Sequence, residues 1–184
     1  MIKLVDLLKE ITEAKQVGNL YHFTYLNHVS KIFNQGIRFS PDNTGLPEYK
    51  NKFYISTTRD YSGKKFIDGS EYAVRITLDG DRISENYSIE PINQNYLMAK
   101  DAGIEHYFKT AKDVYYEERI WSSKEGYLDS KYIIKIDTII PESELRRQIE
   151  WGKEDSERTV HFDESIFKYV DSGKLNFIKD FNSK

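Results

Sequence analysis

The chain has 184 residues, of which 39% are hydrophobic and 31% charged, a balance that suits one globular domain with a core of its own. A net charge of −3 gives no overall attraction to nucleic acid, and with no cysteine the chain has no disulfide, thiolate metal site or cysteine nucleophile. The four histidines, His22, His28, His106 and His161, lack metal-ligand spacing, and no apolar run is long enough for a membrane span. Nothing at the N-terminus has the profile of a signal peptide, so the cytoplasm is the expected location.

In chain order, residues 2–14 come first. Leu4, Leu7, Leu8 and Ile11 fall at helical spacing among Lys and Glu, an amphipathic helix expected to dock on the domain or on a partner. This opening also resembles the start of many tailed-phage proteins. Residues 1–18 are therefore separated from a single domain over 19–184. Residues 20–24 read as a strand with a histidine among aromatic neighbours. Thr24 is placed to cap a helix whose apolar positions are Leu26, Val29, Ile32 and Phe33, with Gly36 at the C′ position. A loop over 41–47 leads to a second strand, 53–57.

Residues 59–70 are polar and contain glycine, a loop or a short helix. Strand 72–78 ends at Asp79-Gly80-Asp81, a hairpin-turn signal, with another extended piece over 83–89. The triplet lacks the further oxygen ligands of a calcium loop. Residues 94–113 read as a helical or irregular insertion. Strand 115–121, a turn at Gly126 and strand 132–139 complete the sheet. A charged helix or linker follows over 142–152, then an apolar C-terminal piece with no single period.

Three strands carry polar residues suited to chemistry. In strand 115–121 adjacent side chains face opposite sides, so Tyr116, Glu118 and Ile120 share one face while Glu117, Arg119 and Trp121 share the other. One glutamate borders any cleft there; a solvated glutamate paired with Arg119 is the plain alternative. His22 on the first strand offers an imidazole that donates and accepts at once, or is a satisfied structural histidine. Ser56, Thr57 and Thr58 offer hydroxyls, or an ordinary strand end. Tyr54 shares a face with Ser56 and Thr58.

The order Leu20-Tyr21-His22-Phe23-Thr24, then a helix ending in glycine, then Phe53-Tyr54-Ile55-Ser56-Thr57-Thr58, then Tyr115-Tyr116-Glu117-Glu118-Arg119-Ile120-Trp121 resembles the ADP-ribosyltransferase superfamily over roughly residues 20–140. The resemblance implies an α+β fold of two small, mainly antiparallel sheets with flanking helices and an NAD cleft between them. It implies NAD as substrate, no metal, and a protein or nucleic-acid acceptor. His22, Thr24, Tyr54, Ser56 and Thr58 would then bind NAD, with Tyr61 or Tyr72 stacking on nicotinamide. Glu118, with Glu117 as its rival, would stabilise the ribosyl cation. A carboxylate about 4 Å from a full positive charge, at an effective dielectric near 20, is worth roughly 4 kcal/mol, or about a thousandfold in rate.

Two features bound that expectation. A tyrosine, Tyr115 or Tyr116, stands where the family's E-x-E pattern has its first acidic residue, which speaks against arginine as acceptor. A 2′-phosphotransferase on the same scaffold would need several basic residues around its phosphate, and the first strand supplies none. An NAD glycohydrolase and a non-catalytic phage accessory or virion binding module remain as alternatives.

Overall fold

Leu20, Ile76 and Ile136 are wholly buried, and they come from three strands that lie side by side. The computed structural model describes residues 17–42, 47–62, 74–92, 117–154 and 166–179. In chain order the elements are β1 (Asn19–Thr24), a 3-10 turn (Leu26–His28), α1 (Val29–Gln35), β2 (Ile37–Arg38), β3 (Ser40–Pro41), a second 3-10 turn (Pro47–Tyr49), β4 (Phe53–Thr57) and β5 (Val74–Asp79). Then come α2 (Gly80–Ser84), β6 (Ser88–Ile92), β7 (Glu117–Ser122), β8 (Tyr127–Leu128), a third 3-10 turn (Ser130–Tyr132), β9 (Ile133–Thr138), α3 (Glu142–Glu154), α4 (Phe167–Asp171) and β10 (Leu175–Phe177). The fold is mixed α+β, built from small sheets and few helices. Helix 2–14, the insertion over 94–113 and Tyr72 lie outside the described residues.

One sheet runs β1-β5-β9-β10, antiparallel except for the parallel pair β9–β10. The other runs β3-β4-β7-β6, antiparallel throughout, and β2 pairs with β8 as a short separate ladder. The two larger sheets meet where Tyr21 and Thr58 exchange both backbone hydrogen bonds, at 2.8 and 2.9 Å. Ile55 and Ile120 from the second sheet join Leu20, Ile76 and Ile136 from the first, with Val29 and Ile32 of α1, in one apolar cluster. Burial of these side chains is the main force holding the layers together.

Three local expectations are corrected. Asp79-Gly80-Asp81 is not a hairpin turn: the Asp79 side chain accepts from the Arg82 amide at 3.1 Å and caps α2. The piece expected to be extended over 83–89 is therefore helical at its start, and the strand begins only at Ser88. The chain leaves the first sheet here and enters the second, so no hairpin partner exists for β5 at this point. Asp81 turns back instead, its Oδ1 accepting from the amides of Val17 and Gly18. Thr24 is likewise no helix cap, because the helix opens as a 3-10 turn after Tyr25 with no side-chain cap. Its hydroxyl meets the His28 Nδ1 at 3.1 Å.

Gly36 does close α1, at φ 91°, with its amide donating to the Ile32 carbonyl. A Cβ there would sit 2.1 Å from the Leu128 carbonyl oxygen, so only glycine lets β8 pack this closely. Residues 142–154 form a helix. No helix among the described residues is long and apolar enough to cross a membrane.

Candidate functional site

Past the Tyr21–Thr58 bridge, β1 and β4 border a cavity of about 480 Å³. His22 and Thr24 of β1, His28 and Lys31 from the helical segment, and Tyr54 and Ser56 of β4 line it, with Arg38 and Tyr127 from the β2–β8 ladder. Among the described residues, none that lines it is a carboxylate. Arg38 is exposed and already paired with Glu125 at 2.7 Å, so Lys31 is the more available cation. Such a lining favours an anionic ligand.

The His22 ring points its Nδ1 at the Ser56 carbonyl oxygen, 2.8 Å away. A carbonyl only accepts, so Nδ1 carries the proton, and a neutral ring keeps Nε2 as an acceptor. Burial lowers the pKa of His22; the bond to Ser56 opposes this, and neighbouring His28 adds to it. The ring is therefore neutral at pH 7.

Ser56 faces two ways. Its carbonyl holds His22, and its hydroxyl donates to Glu117 Oε1 at 2.7 Å. The same carboxylate oxygen accepts from Arg119 Nε at 2.8 Å, and Arg119 Nη1 donates to Asp42 at 3.0 Å. Arg119 is only 1% exposed, with its guanidinium 3.8 Å from the centre of the Tyr54 ring. Burial raises the Tyr54 pKa, Arg119 opposes this, and Glu117 and Asp42 add to the rise, so Tyr54 stays protonated. Two carboxylates thus flank one guanidinium behind Ser56.

Glu118 lies on the other face of β7. Its Oε1 accepts from Arg59 Nε at 2.6 Å, and its Oε2 is buried with no partner among the described residues. The second donor of Arg59, Nη1, holds the Val17 carbonyl. Thr57, opposite Glu118 in the ladder, donates to the Glu118 carbonyl.

His22, Thr24, Tyr54 and Ser56 thus share one cavity, and Glu117 stands one hydrogen bond behind it. Thr58 serves the bridge between sheets, and its hydroxyl accepts from the Asp60 amide. Tyr61 stacks 3.6 Å over the guanidinium carbon of buried Arg75 and meets Tyr21 edge-on, away from the cavity. Neither glutamate lines the cavity itself. Sequence reasoning did not single out His28, Lys31, Arg38, Tyr127 or Asp42. His28 and Lys31 were legible only as positions on an expected helix, and Asp42 lies 77 residues from its partner. No group of three or more metal-ligating side chains occurs among the described residues. Comparison with protein-family models, with curated proteins and with solved structures returned no match.

Proposed function

We propose that this chain is an NAD-dependent mono-ADP-ribosyltransferase with an ADP-ribosyltransferase-like α+β fold, and that the cavity beside Ser56 receives NAD as substrate. One observation carries the reading: Ser56 joins the His22 imidazole to the Glu117 carboxylate through two hydrogen bonds at the wall of a cavity sized for a small molecule. Lys31 and His28 suit a pyrophosphate. The neutral His22 adds no positive charge where a ribosyl cation would form.

In the reaction the bond from ribose C1′ to the nicotinamide nitrogen breaks, and the electron pair leaves with nicotinamide, which departs neutral. Positive charge then spreads over the ribose ring. The Glu117 carboxylate, held by Ser56 and Arg119, stabilises it, fixed in place before the charge appears. An acceptor nucleophile on a protein or nucleic acid attacks C1′ and gives up its proton. The geometry favours Glu117 for this role over Glu118, whose carboxylate faces Arg59.

The test is incubation with labelled NAD and cell lysate, comparing the wild type with Glu117→Ala and Glu118→Ala. Label on macromolecules that is lost in Glu117→Ala supports the transferase. Free nicotinamide without transfer identifies an NAD glycohydrolase on the same site. No turnover and no NAD-dependent rise in melting temperature overturn the reading in favour of a non-catalytic binding module.

A further inference from the structure

A hydroxyl that attacks C1′ must shed its proton, and the proton needs an acceptor atom within hydrogen-bond reach. Few side chains of the cavity qualify. Lys31 and Arg38 carry only donors. The hydroxyls and phenols of the lining are neutral, and such oxygens hold an extra proton only in strong acid. Glu117 stands behind Ser56, with its Oε1 already taken by Ser56 and Arg119. Two imidazoles are left among the described residues, His22 and His28.

The two rings are held differently. His22 donates its Nδ1–H to the Ser56 carbonyl at 2.8 Å, a bond whose direction a carbonyl cannot reverse. Nε2 is thereby fixed as the lone-pair atom. The His22 side chain is partly exposed and lines the cavity; its Nε2 is not a buried atom and has no hydrogen-bond partner among the described residues. His28 Nδ1 instead meets the Thr24 hydroxyl at 3.1 Å, which both donates and accepts, so neither tautomer is imposed on it. Ser56 also joins His22 to Glu117, so both groups share one anchor.

We infer that His22 is the general base of the transfer and that the acceptor it serves is a hydroxyl; this rests on the transferase reading. A lone pair of the hydroxyl oxygen forms the bond to C1′. The O–H bond breaks as it does so, its electron pair stays on oxygen, and the proton moves to Nε2. The imidazolium then gives the proton to water. Nicotinamide has left with its own electron pair, so the positive charge of the pyridinium ends on the imidazole. A weak base is enough, because an oxygen bonded to C1′ while still protonated is strongly acidic. A carboxylate acceptor would arrive without a proton and leave the fixed lone pair of Nε2 unused.

Wild type and His22→Asn are incubated with labelled NAD in buffer alone, with cell lysate and with azide, and nicotinamide release and labelled products are measured. Asparagine keeps an N–H for the Ser56 carbonyl and removes the base. Transfer to lysate acceptors should fall by about a hundredfold or more in His22→Asn, the range usual for loss of a general base. Azide is an anion with no proton to lose, so its reaction with NAD should stay within about threefold of wild type. An equal fall with azide overturns the inference, because it marks a residue that only binds NAD. Transfer by His22→Asn at the wild-type rate overturns it too, and labelled bonds cleaved by neutral hydroxylamine, the mark of a carboxylate ester, overturn the hydroxyl assignment. Should His22→Asn fail to fold by circular dichroism, His22→Gln takes its place. A wild type that releases no nicotinamide in any mixture overturns the transferase reading and the base with it. Release to water and azide alone, slowed in His22→Asn only with water, overturns the transferase reading and supports the base, since water is itself a hydroxyl.

Discussion

Glu117 and Glu118, neighbours in the chain, end in ion pairs on opposite faces of β7: one with buried Arg119 at 2.8 Å, the other with half-exposed Arg59 at 2.6 Å. Only the first is hydrogen-bonded to a residue of the His22 cavity. Glu117→Ala should lower kcat for nicotinamide release by more than about tenfold while KM for NAD changes little, because the charge it opposes exists only in the transition state. Glu118→Ala should cost less than about tenfold in kcat, an effect of about 1.4 kcal/mol or less. Steady-state kinetics of the two variants separate these outcomes, and equal losses would refute the assignment.

Arg75 and Asp137 form a second buried pair, 2.7 Å apart and almost wholly removed from solvent. Removing one partner strands a charge in the core, so Asp137→Ala should destabilise by about 3–5 kcal/mol. Lys135, 3.0 Å from Asp137, softens the loss of Arg75 less than it appears on paper, because it is itself partly exposed. The double replacement Arg75→Met with Asp137→Leu should cost less than the two single changes added together. Urea unfolding of Asp137→Ala, of the two single replacements and of the double checks this, and simple additivity would contradict it.

Stability should fall on mild acidification because of His22. Its native pKa lies below the ordinary value near 6.5 that it regains on unfolding, so the unfolded chain binds the proton first. Stability is therefore steady above about pH 6.5, declines as pH falls below that value, and levels once the native ring also protonates. Melting temperatures of wild type and His22→Asn between pH 7.5 and 5 give the comparison. The slope should be shallower in the variant, and an unchanged slope would exclude His22 as its source.

Gly36 should not tolerate alanine. The substitution meets both a left-handed backbone and a Cβ that would stand 2.1 Å from the Leu128 carbonyl oxygen. The loss should exceed about 1 kcal/mol, since alanine also cannot relax without moving β8. Gly126→Ala, with open space around its Cβ, serves as the control for backbone strain alone. Thermal unfolding ranks the two, and a cost for Gly36→Ala no larger than for the control would show that the contact with Leu128 is unimportant.

Much of the sheet structure was written in local patterns. The apolar and aromatic alternation of residues 20–24, 53–57 and 132–139 needs only its own period to declare a strand. The alternation of 115–121 also declared that its two glutamates diverge. Which glutamate bonds Ser56, behind His22, depended on the register Thr57↔Glu118, set between segments about 60 residues apart. Asp79-Gly80-Asp81 was ambiguous because the same triplet serves a hairpin or a helix cap. Non-local topology decided it, when the next strand joined the other sheet. Thr24 could reach several partners within four residues, and the one it found, His28, became visible only once the 3-10 turn was in place.

Arg59 grips the Glu118 carboxylate with one nitrogen and the Val17 carbonyl with another, while Asp81 holds the amides of Val17 and Gly18. The point where the chain enters the first sheet is thus fastened mechanically to an inner strand of the second. Tension or docking forces applied upstream of Val17 would be felt at β7 through a single cation, without passing along either hydrogen-bonded ladder.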